Sequence, residues 1–373
     1  MKEWNDWANS FNSMKGLLYS EQYKAIDEWK LGKRGAPLPP VEVSLDPIHA
    51  CNLMCTHCNA HRYLSHSSLP NEHRMPDEHM LNLVQFLADW GVKGICWGGG
   101  GEPTLHSKLK DGLLLAHKLG VENSIATNGT LFTDELIDVA TRTCRWIGVS
   151  VDAACKKTYK IGRNQDLFTK TIINLGKLAV YAKNNNLHCD VAFKFLIFDY
   201  NQTEIFKACK LAKSLGIKDF HARPADFRHQ GLGEWQKKLS GYNIPLIKKQ
   251  FEKCHALADD NFHVYTVVHK FNEDFTPKRR FTQCFATPIC IQLCADGNVY
   301  LCPDTRHMED YKLGEHYPNP KSILDIWGNK KHYDLVFATG CQPCLSRCTF
   351  SPYNEQVERL FINKDDPFCR NFV

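Results

Sequence analysis

The chain has 373 residues, of which 43% are hydrophobic and 23% charged, a balance that suits a full globular core and excludes a disordered or fibrous protein. Lys and Arg number 46 against 41 Asp and Glu, a net +5, and the basic stretches Lys237-Lys238, Lys248-Lys249 and Lys278-Arg279-Arg280 lack interleaved aromatics, so they read as solvated faces rather than a nucleic-acid groove. Seventeen cysteines, no N-terminal apolar signal and no apolar run of membrane-spanning length point to a cytoplasmic, reducing compartment where thiols serve metals or chemistry.

From the N-terminus, Trp4, Trp7, Phe11, Met14 and Leu18 recur at steps of three and four, which predicts an amphipathic helix within Met1 to Lys33 that packs on its own protein. Gly35-Ala-Pro-Leu-Pro-Pro40 breaks it. Short apolar runs then alternate with helical patterns. Strands are predicted near Val41–Leu45, Gly94–Trp97, Asn123–Thr127, Trp146–Val151, His188–Ile197 and Asp219–Arg223, and helices near Asp77–Trp90, Ser107–Leu119, Thr133–Thr141, Asp166–Asn186 and Gln202–Leu215. One crossover helix between successive strands implies right-handed βαβ units on a parallel sheet, either doubly wound or a partial barrel, with reactive groups at the carboxyl ends of the strands.

The marked residues fall at those ends. After the first strand comes Cys51-Asn-Leu-Met-Cys55-Thr-His-Cys58. A cubane iron–sulfur cluster takes four thiolates, one per iron, so a loop of three leaves one iron open; the competing reading is a zinc cage that recruits His57. The second strand ends in Trp97-Gly-Gly-Gly-Gly-Glu102-Pro103, glycines that admit a ligand to the backbone beside a carboxylate suited to an ammonium. The Gly-Lys-Ser/Thr ending of a phosphate loop is absent. Thr127-Asn128-Gly129 and Ser150-Val-Asp152 close the third and fourth strands, and Arg163 precedes the helix expected from Asp166.

Phe227 to Gln283 reads as a bridging segment with a helix at Ile244–Ala258 and a strand at Phe262–Val268. Beyond it, Cys284-x12-Gly297-x4-Cys302 encloses a hairpin, Ile289–Cys294 and Val299–Cys302 around Asp296-Gly297, followed by Ser322–Trp327, the pair Cys341-Gln-Pro-Cys344, and Cys348. Taken alone, this half also suits a zinc ribbon. The remaining cysteines, Cys96, Cys144, Cys155, Cys189, Cys209, Cys254, Cys290 and Cys294, mostly lie on apolar faces, where a thiol serves as a small hydrophobe.

The C-x3-C-x2-C loop resembles the signature of the radical S-adenosylmethionine (SAM) superfamily, over roughly residues 41 to 225. The resemblance implies a six-unit (β/α) partial barrel; a SAM-binding 4Fe–4S cluster on Cys51, Cys55 and Cys58; and reductive cleavage of SAM to a 5′-deoxyadenosyl radical. It assigns Gly100, Gly101 and Glu102 to the SAM amino group, Asn128, Ser150 and Asp152 to the ribose and methionine region, and Arg163 to the SAM carboxylate. A second resemblance, over about 284 to 349, is to the SPASM/twitch extension of that superfamily. Its short form implies one auxiliary 4Fe–4S cluster on Cys284, Cys302, Cys341 and Cys344. The long form departs here, with Phe350 where a cysteine belongs, although Cys348 and Cys369 offer ligands for a second cluster.

The expected organisation is an N-terminal helical extension (1–40), the barrel (41–225), the bridge (226–283) and a small α+β auxiliary-cluster domain (284–373). The resemblance implies hydrogen-atom abstraction from a carbon and, through the auxiliary cluster, net oxidation, with a flavodoxin or ferredoxin as electron donor. Peptide-modifying relatives often carry a leader-binding domain of roughly 80 residues. About 40 precede the first strand here, which favours a small, carbohydrate-like substrate over a peptide maturase or epimerase activity. A non-catalytic metal scaffold is disfavoured because Glu102, Asn128, Ser150 and Asp152 are all present.

Overall fold

The computed structural model describes residues 12–58, 60, 74–225, 241–268, 271–276, 280–338 and 348–361. The six predicted strands form as β1 (Glu42–Leu45), β2 (Gly94–Trp97), β3 (Glu122–Thr127), β4 (Cys144–Ser150), β5 (Asp190–Ile197) and β6 (Asp219–Pro224), all parallel and paired in chain order. Val43, Ile95, Ile125, Ile147, Val149, Phe193, Phe195 and Phe220 are at most 1% exposed, so the strands are apolar because the sheet is covered. Each such side chain contributes roughly 1.5–3 kcal/mol of burial.

The crossover helices are α2 (Asp77–Trp90), α3 (Leu109–Lys118), α4 (Asp134–Thr143), α6 (Phe168–Asn184) and α7 (Ile205–Ser214). Local chemistry fixes their ends. Thr133 Oγ1 accepts from Leu136 N at 3.2 Å ahead of Asp134 and Glu135, and Gly91, at φ 106°, closes α2. Helix α2 packs on α3, α3 on α4, and α4 on α6; Gly176 of α6 lies against Leu215 just past α7. Successive helices therefore form one layer on one face, the arrangement of a partial barrel rather than a doubly wound sheet.

The structure departs from expectation in three places. Two helices, not one, join β4 to β5: α5 (Lys156–Arg163) precedes α6, so Arg163 ends a helix of its own. Its polar composition, KKTYKIGR, hid it from a search for apolar periodicity. The predicted N-terminal stripe does not continue as one helix: a 3-10 helix spans Ser13–Leu18, α1 spans Ser20–Lys30, and Leu18 is 69% exposed. Trp4, Trp7 and Phe11 lie outside the described residues. Instead Ile26 packs with Phe285, Ile289, Tyr353 and Val357, joining α1 to the helix Ser351–Phe361.

The third departure is the extent of the sheet. After α8 (Ile244–His255), β7 (His263–Thr266) adds a parallel strand beside β6. β8 (Cys290–Leu293) pairs in parallel with the other edge of β1, Glu42 opposite Cys290, and β9 (Asn298–Tyr300) and β10 (Lys312–Glu315) follow antiparallel. Ten strands thus run in one sheet, β10-β9-β8-β1-β2-β3-β4-β5-β6-β7. The predicted hairpin turn is present, with Gly297 at φ 82°. Trp327 donates from Nε1 to Pro37 O and Leu38 O and meets Trp90 edge-on.

Candidate active site

The loop after β1 carries Cys51 and Cys58, both half-buried, and Cys55, buried. Backbone contacts hold it on two sides. Gly101 sits so close beneath it that an added Cβ would lie 2.4 Å from Ile48 O and 2.3 Å from Ala50 O, and Glu102 N donates to Ala50 O at 2.8 Å. On the other side Thr56 N donates to Gly162 O of α5 at 2.9 Å. Asn52, inside the loop, joins the end of β3: Asn128 Nδ2 donates to Asn52 Oδ1 at 2.9 Å, and Asn52 Nδ2 to Thr130 Oγ1 at 2.8 Å. Asn128 Nδ2 also lies 3.9 Å from Cys51 Sγ.

Glu102 is 2% exposed. Its Oε1 accepts from Thr104 N, Thr104 Oγ1 and Thr127 Oγ1, and its Oε2 from Asn128 N at 2.7 Å. Burial pushes the carboxyl pKa up, and these four donors only partly oppose it. Among the described residues Glu102 forms no ion pair, and its carboxylate is met by hydrogen-bond donors alone. Gly100 N donates to Asp46 Oδ2 at 2.9 Å, which orients the glycine loop against the end of β1.

Asp152 lies two residues past β4 in the left-handed region at φ 57°. Its Oδ2 takes Arg163 Nη2 at 2.5 Å and His57 Nε2 at 3.5 Å, and its Oδ1 takes Leu196 N at 2.7 Å. Burial opposes its charge, but Arg163 and His57 hold the carboxyl below its ordinary range. Arg163 also donates from Nη1 to Cys55 Sγ at 3.4 Å. The guanidinium is thus committed to Asp152 and the cysteine loop, a pairing that spacing alone did not reveal. Ser150 closes β4, half-buried, opposite Lys194 in the register.

The donor set discriminates between the two metal readings. A tetrahedral zinc with Zn–S of about 2.3 Å brings its thiolates within about 3.8 Å of one another. Cys51, Cys55, Cys58 and His57 do not gather at single-ion spacing, and His57 points its Nε2 at Asp152. The thiols are nonetheless near neighbours: burial, then the charges of Glu102, Cys55 and Cys58, push Cys51 up to about 12 against the Leu53 N–H. Three neighbouring thiols on one loop, with a buried carboxylate beside them and His57 turned to Asp152, suit a cluster that takes one thiolate per iron.

In the C-terminal part, Cys284 and Cys348 share one neighbour, with Asn354 Nδ2 3.6 Å from Cys284 Sγ and 4.0 Å from Cys348 Sγ. Cys302 follows β9 and accepts from Thr305 Oγ1 at 3.7 Å. Cys341, Cys344 and Cys369 lie outside the described residues. Of the cysteines read as apolar filler, Cys144, Cys189, Cys209, Cys254 and Cys290 are buried. Cys294 is buried too but polar in company, beside His49 and His307. No sequence motif links those three; only the pairing of β8 with β1 does. Among the described residues no helix is long and apolar enough to cross a membrane.

The family model of the Radical SAM superfamily matches residues 45–229. An S-adenosylmethionine-dependent nucleotide dehydratase of Thermoplasmatales archaeon (strain ISO4-H5) is 28% identical over 130 residues, 35% of this chain and 44% of that protein. The sporulation killing factor maturation protein SkfB of Bacillus subtilis is 21% identical over 329 residues, 86% of this chain and 73% of that one. The crystal structure of Streptococcus suis SuiB bound to S-adenosylmethionine superposes with a TM-score of 0.61 at 17% identity, covering 82% of this chain and 69% of that one, a likeness of fold. The chain spans less than half the length of the nucleotide dehydratases it matches.

Proposed function

Residues 45–229 belong to the radical SAM superfamily, and from that premise we propose that Cys51, Cys55 and Cys58 hold a 4Fe–4S cluster whose open iron binds SAM. Cluster and SAM together supply a 5′-deoxyadenosyl radical that takes a hydrogen atom from a substrate carbon. The observation that carries the reading is the convergence of three thiols and the buried Glu102 at one rim of the sheet. Glu102 binds the SAM ammonium. Gly100 and Gly101 bring the backbone to it without a side chain in the way. Asn128, Ser150 and Asp152 line the adjoining strand ends, where the ribose and methionine lie. Arg163 acts through Asp152 and Cys55: it holds the loop, neutralises Asp152 and presents positive charge near the SAM carboxylate.

Cys284, Cys302, Cys341 and Cys344 hold an auxiliary 4Fe–4S cluster in this proposal, with Cys348 beside Cys284 as a further donor. A cluster held there would supply an electron acceptor, so that the substrate, having given up a hydrogen atom, would lose one further electron and one proton for net oxidation; a flavodoxin or ferredoxin would supply the first electron. For the substrate we place a polypeptide first. Support comes from the similarity to a maturation protein along 86% of this chain, whereas the nucleotide dehydratase is matched along 35%. A small carbohydrate- or nucleotide-like molecule is the second reading, favoured by the higher identity of that shorter match.

The test is to incubate reduced, anaerobically reconstituted protein with SAM and candidate substrates, following 5′-deoxyadenosine and substrate mass. Two cubanes require about eight irons per chain. Changing Cys51, Cys55 and Cys58 together to Ala should remove about half of the iron and all SAM cleavage. Oxidation predicts a product lighter by two hydrogens with no solvent deuterium at the reacting carbon; deuterium there would overturn the oxidative reading, and absence of bound iron would overturn the whole.

A further inference from the structure

His49, Cys294 and His307 come from three separate segments: the turn between β1 and the cysteine loop, the end of β8, and the turn after β9. Their ligand atoms all lie within 4.8 Å of one another. His49 and Cys294 are at most 1% exposed, and His307 is half-buried. His49 Nε2 and His307 Nε2 are 3.2 Å apart. Two imidazoles on one tetrahedral zinc, with Zn–N of about 2.0–2.1 Å, place their nitrogens about 3.3–3.4 Å apart. The observed pair already stands at that spacing.

The surroundings carry the marks of a ligand set. His307 Nδ1 lies 3.3 Å from Asp296 Oδ2, a carboxylate that favours a proton on Nδ1 and so leaves Nε2, 3.2 Å from His49 Nε2, to act as a ligand atom. Asp296 is itself held, accepting from Asn298 N at 3.0 Å and Tyr300 OH at 2.9 Å. His307 occupies the left-handed region at φ 58°, a conformation that the surrounding fold must impose. Behind Cys294 stands Asp46, its Oδ2 3.8 Å from the thiol, 3.2 Å from Arg306 Nη1 and 2.9 Å from Gly100 N; its Oδ1 is buried with no hydrogen-bond partner among the described residues.

We propose that His49 Nε2, His307 Nε2 and Cys294 Sγ bind one divalent transition ion of the zinc class, distinct from both cluster sites. Mixed imidazole and thiolate donors select zinc over magnesium or calcium. A cubane is excluded, because its thiolates bind separate irons and need cysteines this triad lacks. Binding releases the Cys294 proton to solvent and shifts the His49 proton to Nδ1, so no oxidant or reductant is involved. Three protein ligands leave the fourth position to water or a substrate donor atom. His49 lies two residues ahead of Cys51, so an ion here could anchor an oxygen or sulfur of the substrate near the radical source. The metal site itself does not rest on the proposed reaction.

The test uses the full chain with its iron–sulfur clusters reconstituted, so that the cluster cysteines are occupied. Elemental analysis should find about one zinc per chain beyond the iron. Cobalt(II) exchanged into the site should give tetrahedral d–d bands and a near-ultraviolet thiolate-to-cobalt band. Cys294→Ala should abolish that charge-transfer band, His307→Asn should abolish stoichiometric zinc, and Asp296→Asn should weaken zinc binding about 10- to 100-fold, all with iron content unchanged. Wild-type protein that takes up neither metal, or zinc affinity unaltered by these substitutions, would overturn the proposal. Should Cys294→Ala or His307→Asn fail to fold, Asp296→Asn, which spares every ligand, decides it.

Discussion

Gly101→Ala offers a sharp test of how the cysteine loop is seated. The added methyl would lie 2.3 Å from Ala50 O, 2.4 Å from Ile48 O and 2.8 Å from Ala50 N. Carbon and oxygen normally approach no closer than about 3.3 Å, so both carbonyls must retreat by roughly 1 Å. They are backbone atoms, one of them bonded to Glu102 N, and no rotamer change relieves them. Overpacking of this kind costs about 1–3 kcal/mol, more when backbone must move, and we expect at least about 3 kcal/mol here. Gly120→Ala is the control: Gly120 has φ 78° and nothing within 4 Å, so it bears only backbone strain, about 1 kcal/mol. Urea unfolding of metal-free protein gives the midpoints, and anaerobic reconstitution gives the iron bound. If Gly101→Ala unfolds within error of the control and loads full iron, the loop is not clamped as described.

Glu102→Gln keeps the shape but removes the charge opposite the ammonium, and SAM affinity, measured by calorimetry, should fall about tenfold or more; unchanged affinity would place the ligand elsewhere. Because burial raises the Glu102 pKa, wild-type SAM binding should be strong above that raised pKa and weaken as pH falls through it. This acid limb should vanish in Glu102→Gln. Folding has the opposite sign for the same group, since a raised carboxyl pKa favours the folded state at low pH and that advantage is lost as pH rises through it. Arg163→Met should destabilise the metal-free protein by about 3–5 kcal/mol, because Asp152 keeps a buried charge with His57 alone. Adding Asp152→Asn should recover most of the loss, and a midpoint that does not move in the single variant would show the pair to be incidental.

The parallel units were legible because each strand is a short apolar run and each crossover helix carries its own caps and apolar face; β2 and α2 match their predicted bounds. The cysteine loop, the glycine run and Glu102 were legible because those functions demand particular residue types at close spacing. Long-range pairing was not. Nothing in Cys290–Leu293 announces that its partner is β1, and without that pairing His49, Cys294 and His307 are three ordinary residues. The Arg163 partnership was hidden for a similar reason: eleven positions separate it from Asp152, and the short polar helix that closes the distance has no apolar stripe. Asp46 carries no motif, yet it touches the glycine loop, Arg306 and Cys294 at once.

The seat of β1 between β2 and β8 sets a timetable for synthesis. Glu42 pairs with Gly94 on one side and with Cys290 on the other, so the second edge waits for a segment 248 positions later in the sequence. At about 5–20 residues per second, that edge stays open on the ribosome for roughly 10–50 s. An unpaired strand edge beside uncovered thiols invites pairing between nascent chains and capture of stray metal. Expression yield should therefore respond to translation speed and to chaperones that shield open edges. Chains truncated before Cys290 should aggregate, because β1 would never gain its second neighbour.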